Sequence, residues 1–309
     1  MLVTGGAGFI GSCLVAALVR EGCHVRVLDD LSTGSVENLA GCEGYELHRG
    51  SILDADALRR ALDGCAVVWH LGAQVGNLSS LERPFDDART NGEGTLAVCL
   101  AASAAGARRL VYSSSSAIFG EPVRLPIDES HPVRPESYYG VSKLTGERYA
   151  WAVGRLGGLE VNSLRYFNVY GRGQRYNPYA NVVPIFTERL LAGQPPTIYG
   201  DGEQTRDFVD VADVVQANLL AATSATAGEV FNIGSGVATT VNRVAGMLAE
   251  IVGVPARLRP VSAPPRGGEV RHSVADIGRA RSVLGYVPVV GLADGLREFV
   301  RWFGEGRCP

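Results

Sequence analysis

The sequence predicts an α/β protein in which a doubly wound parallel sheet carries a smaller C-terminal substrate-binding region. Three observations lead there. Short β-type runs alternate with helical stretches along the first half of the chain, as βαβ units require. A glycine-rich turn joins the first strand to the first helix. After about Asn168 the texture changes: Gly and Pro become denser and irregular stretches lengthen, as in "GRGQRYNPYANVVP" and "RPVSAPPRGGE".

Taken in order, the apolar runs at Met1–Thr4, Val25–Leu28, Val67–Leu71 and Leu110–Tyr112 are read as strands, and Ile10–Arg20, Ala55–Leu62 and Thr95–Ala105 as the helices between them. Further helices are expected at Val211–Ala222, Val241–Val252 and Leu292–Phe303, separated by loops long enough to carry a binding site. Two regions follow: residues 1–167, the sheet domain, and 168–309, mainly the substrate-binding region, with some of its segments expected to return to the sheet.

Composition excludes several classes of function. The chain has 309 residues, 46% apolar and 20% charged, with a net charge of −3, as in a soluble globular protein with a substantial core. No Lys/Arg run exceeds two residues, which argues against nucleic acid or an anionic membrane as partner. No apolar stretch nears the ~20 residues of a membrane span. The opening "MLVTGGAGFIGS" lacks a basic n-region, so no signal peptide is expected. The six cysteines, Cys13, Cys23, Cys42, Cys65, Cys99 and Cys308, form no CxxC pair and no metal-ligand pattern. They are read as mostly buried apolar residues in a reducing cytoplasm, with no metal site. No chemistry is assigned to the five histidines.

The glycine turn reads "LVTGGAGFIGS", with Gly5, Gly8 and Gly11 in a G-x-x-G-x-x-G pattern. Glycines there let the backbone turn sharply and let a pyrophosphate approach the helix start, where free N–H groups and the dipole favour anions. "VRVLDD" then ends a second strand with Asp29, at the ~20-residue spacing of a Rossmann-type dinucleotide site. A carboxylate there accepts from ribose hydroxyls and repels a 2′-phosphate, and no arginine follows it, so NAD is favoured over NADP. Gly5, Gly8, Phe9, Ile10, Gly11 and Asp29 are the cofactor-binding candidates.

"SYYGVSK" raises the question of which tyrosine is chemical. Residues four apart share a helix face, so Tyr139 pairs with Lys143, whereas Tyr138 diverges. A tyrosine acting as a base near neutrality needs its pKa lowered by roughly 3 units, about 4 kcal/mol. A lysine on the next turn and a cationic nicotinamide are the groups expected to supply this. Upstream, "VYSSSSAIFGEP" runs a strand into four serines, where parallel sheets bind ligands.

These residues carry a resemblance. The chain resembles the extended short-chain dehydrogenases/reductases of the NAD-dependent nucleotide-sugar epimerase/dehydratase family. The matching motifs run through nearly the whole chain: "TGGAGFIGS", "LDDLSTG", "WHLGAQ", "TNGEGT", "VYSSSSAIFGEP", "YYGVSK", "LRYFNVYG", "GDGEQTRDFVDVADV", "FNIGSG" and "PPRGGEVRHSVAD". The resemblance implies that Ser115, Tyr139 and Lys143 are catalytic and that Asn91 lies near the nicotinamide. It places Asn168 and Asn181 on the substrate diphosphate and nearby sugar. Tyr199, Arg206, Arg266 and Glu269 fall at nucleotide-clamping positions, the arginines on phosphate and Glu269 on the uridine ribose. A homodimer through helices near Thr95–Ala105 and Ser137–Leu156 is also implied. Three positions depart from the pattern: Ser51 replaces an acid near the adenine, Ile118-Phe119-Gly120 replaces "VYG", and Val75 replaces a lysine of some galactose epimerases.

Members of this family share hydride abstraction at the sugar C4. Related dehydratases place an Asp-Glu pair, and decarboxylases a glutamate, just after the catalytic hydroxyl residue. Here Ser116, Ala117, Ile118 and Phe119 follow, with no acid, which favours 4-epimerisation of a UDP-hexose. Within "GQRYNPYANVV", Arg175 matches the residue that binds the C6 carboxylate in uronate epimerases. Ser273, at the C2 side, leaves room for an N-acetyl group. A buried unpaired cation is costly, so Arg175 weighs more and UDP-glucuronate is expected first, ahead of UDP-glucose and UDP-N-acetylglucosamine.

Overall fold

The structure is a computed structural model; it describes residues 1–177, 180–255, 258, 260–265 and 270–305. The strands are β1 (Leu2–Thr4), β2 (Val25–Asp29), β3 (Tyr45–Arg49), β4 (Val67–His70), β5 (Arg109–Ser115) and β6 (Glu160–Tyr166), then β7 (Asn168–Tyr170), β8 (Thr197–Tyr199), β9 (Thr205–Asp210), β10 (Glu229–Ile233), β11 (Ala238–Thr240) and β12 (Val261–Ala263). The α-helices are α1 (Phe9–Arg20), α2 (Ala55–Leu62), α3 (Asn77–Glu82), α4 (Pro84–Ala88), α5 (Thr95–Ala104), α6 (Tyr138–Gly157), α7 (Val182–Leu191), α8 (Val211–Thr223), α9 (Val241–Val252) and α10 (Leu292–Glu305).

Seven strands form one sheet in the order β10-β6-β5-β4-β1-β2-β3, and every neighbouring pair runs parallel. Parallel sheets are covered on both faces. Accordingly Leu2, Val3, Val68, Trp69, Leu110 and Val111 are buried, and two apolar clusters lie on either side of the sheet. Strand order reverses between β1 and β4, so the ligand crevice opens above their C-terminal ends. The glycine turn leaves β1, the four serines end β5, and both face that crevice.

Local chemistry fixes the helix ends. Asp54 caps α2 by accepting from Asp56 and Ala57 N–H at 2.9 and 3.1 Å. Ser137 starts α6 by accepting from Gly140 N–H at 3.1 Å, and Gly158, at φ 72°, ends it. Asp210 caps α8 in the same way.

The chain returns to the main sheet after leaving it: β10 pairs with β6, with Val230 opposite Ser163, and α8 packs on α1, β5 and β6. The smaller lobe holds the three-stranded sheet β11-β9-β7, the β12-β8 pair and α7, α9 and α10. These share a third core that includes Phe186, Phe208, Leu248 and Phe299. No helix among the described residues is long and apolar enough to cross a membrane.

Three strands of the main sheet had no apolar-run signal. β6 reads Glu-Val-Asn-Ser-Leu-Arg-Tyr, and polar residues within it are buried with partners: Asn162 donates to Ala221 O and Thr226 O at 3.1 and 3.0 Å. β3 is an edge strand, half exposed, and β10 at the other edge begins half exposed. The cysteine reading needs correction. Cys65 and Cys99 are buried, but Cys13, Cys23 and Cys42 are half-buried at the rim of the core, and Cys308 lies outside the described residues.

Candidate active site

The glycine turn is shaped by close packing on one side and openness on the other. Gly5 adopts φ 67°, and a Cβ on it would come within 2.7 Å of Gly72 N. A Cβ on Gly11 would collide with the Gly5 carbonyl, whereas one on Gly8 would meet only Gly5 O, at 3.1 Å. Gly8 caps α1 with no side chain, and no acid occupies the first turn, so the N–H groups at Phe9 and Ile10 are offered to an anion. Asp29 anchors the turn: Oδ2 accepts from Ala7 N–H and Oδ1 from Leu31 N–H, both at 2.9 Å. Burial pushes this carboxyl up, while the two N–H donors pull it down. An anion-receptive helix start beside a carboxylate fixed at the end of β2 suits the pyrophosphate and ribose of NAD.

Across the crevice, Ser115 ends β5 and Tyr139 opens α6, and the Ser115 hydroxyl is near enough to the Tyr139 phenol to pull its pKa down. Ser115 Oγ also accepts from Ala117 N–H at 3.2 Å. Of its neighbours, Ser114 donates to Glu147 at 2.7 Å, and Ser113 lies on the side of the Tyr166 phenol, which donates to Asn218 Oδ1 at 3.0 Å. Ser115 is thus the serine presented to Tyr139. One turn along α6, Lys143 is buried with its Nζ 4.7 Å from the centre of the Tyr112 ring. Tyr138 diverges and is 54% exposed.

The proton affinities of the site's own residues are set mainly by burial. Within the protein, the Tyr139 phenol is pushed up to about 12, chiefly because burial penalises the phenolate; the Ser115 hydroxyl lowers it and the Asp87 charge raises it. Lys143 is lowered to about 8 by burial, against the opposing pull of Asp87 and Glu147. The ammonium sits on the Tyr112 ring, so Lys143 alone does not supply the expected drop in Tyr139. His70 is buried between Thr4 Oγ1 and Thr95 Oγ1, at 2.7 and 3.0 Å, and burial holds it neutral, with its pKa down to about 3.

Sequence reasoning missed the support beneath this site. Glu147 accepts a two-pronged bond from Arg165, at 2.7 and 3.0 Å, and both side chains are almost wholly buried. Arg165 also donates to Glu129 O at 3.1 Å and lies 5.2 Å from the centre of the Phe119 ring. Glu147 follows Lys143 by four residues, a spacing that could have revealed it. Asn91 sits in a π-helical stretch, Arg89–Gly94. Its amide donates to Gln74 O, Asp87 Oδ1 and Ser142 Oγ at 3.0–3.1 Å and accepts from Gln74 N–H at 2.9 Å. In this protein Asn91 ties the loop after β4 to α6.

The predicted substrate residues are gathered only in part. Asn168 opens β7 opposite Phe208. Asn181 accepts from Val183 N–H at 3.1 Å and donates to Val169 O at 2.8 Å, so its side chain caps α7 and ties it to β7. Tyr199 ends β8, paired with Ala263. Arg206 and Ser273 meet around Thr205: Arg206 Nη1 donates to Thr205 O at 2.9 Å and Ser273 N–H to the same oxygen at 3.1 Å. Arg266 and Glu269 lie outside the described residues.

The departures also find places. Ser51 Oγ accepts from Leu53 N–H at 3.2 Å and closes a turn. Val75 is exposed. Phe119 is buried against His131 and Phe167, with ring centres 5.6 and 6.5 Å away, so the missing phenol belongs to the core. Arg175 requires a correction: it is exposed, and its Nε donates to Asn38 Oδ1 at 2.9 Å. Asn38 in turn donates to Ala7 O at 2.8 Å, which puts the arginine on the β2 side of the crevice. β2 and β5 are three strand spacings apart, about 14 Å. The premise of a buried, unpaired cation beside the hexose fails.

Known proteins resemble this chain along its length. A family model described as the NAD dependent epimerase/dehydratase family matches residues 1–234. A UDP-glucose 4-epimerase of Mycolicibacterium smegmatis is 41% identical over 307 residues, covering 98% of this chain and 97% of that protein. The crystal structure of a UDP-glucose 4-epimerase from Thermotoga maritima with UDP-glucose superimposes with a TM-score of 0.94 at 43% identity, covering 99% of this chain and 98% of that one. A UDP-N-acetylglucosamine 4-epimerase from Methanobrevibacter ruminantium, in complex with UDP-N-acetylmuramic acid, gives a TM-score of 0.94 at 34% identity, with coverage of 99% and 98%. With its glycine turn, its Ser115–Tyr139–Lys143 group and these matches along its length, the chain belongs to the NAD-dependent epimerase/dehydratase family.

Proposed function

We propose that the protein interconverts UDP-glucose and its C4 epimer, with NAD bound throughout turnover. The observation that carries this reading is the placing of Ser115, at the end of β5, next to the Tyr139 phenol at the start of α6, with Lys143 one turn behind. It is joined by the absence of any acid in the four residues after Ser115. Without an acid there, no group next to Ser115 is placed to remove water.

Each residue then has a task. Ser115 holds the substrate's O4, and Tyr139 takes its proton. Lys143 contributes positive charge near the phenol. Gly5, Gly8 and Gly11 admit the cofactor pyrophosphate, and Asp29 its ribose. Bound NAD supplies a hydride acceptor and donor at the sugar C4, so net redox is zero.

Glucose is preferred to glucuronate because Arg175 is committed to Asn38 and because the Mycolicibacterium and Thermotoga relatives are UDP-glucose 4-epimerases. The buried, small Ser273 supports a second reading, room for an N-acetyl group at C2. The protein is further expected to be a homodimer. On α6, Tyr138, Val141, Tyr149 and Leu156 recur at helical spacing and leave an exposed apolar stripe. Its free cysteines fit the reducing cytoplasm.

The test offers purified protein UDP-glucose, UDP-N-acetylglucosamine and UDP-glucuronate in turn, without added NAD. UDP-glucose should be turned over fastest, giving UDP-galactose. Faster conversion of UDP-glucuronate would overturn the glucose assignment, and a strict need for added NAD would overturn the retained cofactor.

A further inference from the structure

Asp87, on α4, is a buried carboxylate to which none of the roles above gives work. Its Oδ1 accepts from Asn91 Nδ2 at 3.1 Å, and that nitrogen also donates to Ser142 Oγ at 3.0 Å. Two hydrogen-bond lengths therefore join the carboxylate to the residue preceding Lys143. Its Oδ2 is buried and has no hydrogen-bond partner among the described residues. An incompletely satisfied buried anion is costly unless a cation lies near.

The groups around the pair leave one such cation. Lys143 faces the Tyr112 ring from β5, neutral His70 from β4, Tyr139 and Glu147 on its own helix, and Asp87 from α4. Glu147 is already matched by Arg165 and Ser114. Around Asp87, the charged neighbours on its own segment, Arg83, Asp86, Arg89 and Glu93, are exposed, as is Glu82 on α3, and Arg89 is paired with Glu93. The carboxylate left to balance the buried Lys143 is Asp87.

We propose that Asp87 is a positioning residue for the reaction: it is the counter-charge that keeps Lys143 protonated and sets the proton affinity of Tyr139. This rests on the epimerase reading of the same site. An anion whose charge acts on both Lys143 and Tyr139 favours the protonated form of each, opposing the phenolate and supporting the ammonium. Removing it should therefore lower both proton affinities together. A bell-shaped rate profile bounded by the titrations of Tyr139 and Lys143 would slide toward acid as a whole.

The experiment compares wild type, Asp87→Asn and Asp87→Glu, each with its NAD. The first readout is the pH profile of kcat. The second is the tyrosinate absorbance titration, taken as the difference from the matching Tyr139→Phe protein. D87N should move both limbs of the profile, and the tyrosinate midpoint, to lower pH by about one unit, while D87E stays close to wild type. A D87N protein with lower kcat but unmoved limbs and midpoint would overturn the proposal. Asp87→Ser repeats the test should D87N not fold; if neither neutral variant folds while D87E does, Asp87 is purely structural and the proposal fails. The absorbance titration reads Tyr139 even in a protein inactive on UDP-sugars, so a failed epimerase reading is distinguishable from a failed role for Asp87.

Discussion

At the scale of single residues, the two adjacent tyrosines are separated by direction. The Tyr139 phenol is turned toward Ser115, whereas Tyr138 is exposed. Replacing Tyr139 with Phe removes the proton acceptor and should lower kcat by a factor of about 100 to 10,000 with NAD still bound; Tyr138→Phe should change it little. Steady-state rates with cofactor content measured on the same samples decide this, and equal losses would refute the helix-face assignment. His70 makes a prediction about pH. Its folded-state pKa lies near 3, below the ordinary 6.5, so the unfolded chain binds the extra proton. Its neutral form therefore stabilises the fold fully above about pH 6.5, and that contribution is lost as pH falls toward 3. Between pH 6.5 and 5 it should cost about 2 kcal/mol. Denaturant unfolding at the two pH values should show this slope in wild type and a shallower one in His70→Gln.

At the scale of elements, α6 is where chemistry and stability meet. It carries Tyr139 and Lys143 on one stretch and Glu147 on the next turn, and Glu147 clamps the helix to β6 through Arg165. Glu147→Gln leaves the buried guanidinium without its counter-charge and should cost about 3–5 kcal/mol of stability, read as a lower denaturant midpoint. An unchanged midpoint would show that the pair contributes nothing. The same helix shows what was legible. Tyr139 and Lys143 share α6 as expected because a four-residue spacing leaves a local pattern. Arg165 was missed because its burial depends on a partner from a distant helix, which no window of β6 contains. Likewise β1, β2, β4 and β5 announce themselves as apolar runs, while β6 hides its buried polar residues and β3 lies at an edge. Arg175 was misplaced because loop direction has no periodicity, and its bond to Asn38 spans 137 residues of sequence.

At the scale of the whole molecule, one parallel sheet brings the glycine turn after β1 and Ser115 at the end of β5 to the same end of the sheet, and the smaller lobe adds the loops proposed to hold the substrate. The exposed stripe on α6, with Leu156 90% accessible, runs along the outside of the helix that carries the reactive pair. If it is covered by a second copy, Val141→Glu with Leu156→Glu should convert a dimer to a monomer in light scattering, whereas a monomeric wild type would contradict the proposed assembly. The central claim is that the sugar is oxidised and reduced at C4 by one resident cofactor, with nothing eliminated. It is tested most directly by incubating the protein, without added NAD, with UDP-glucose deuterated at C4 and examining the product by mass spectrometry and NMR. The account predicts UDP-galactose of unchanged mass with the deuterium still on C4. Loss of the label to solvent, or a product lighter by one water, would contradict it.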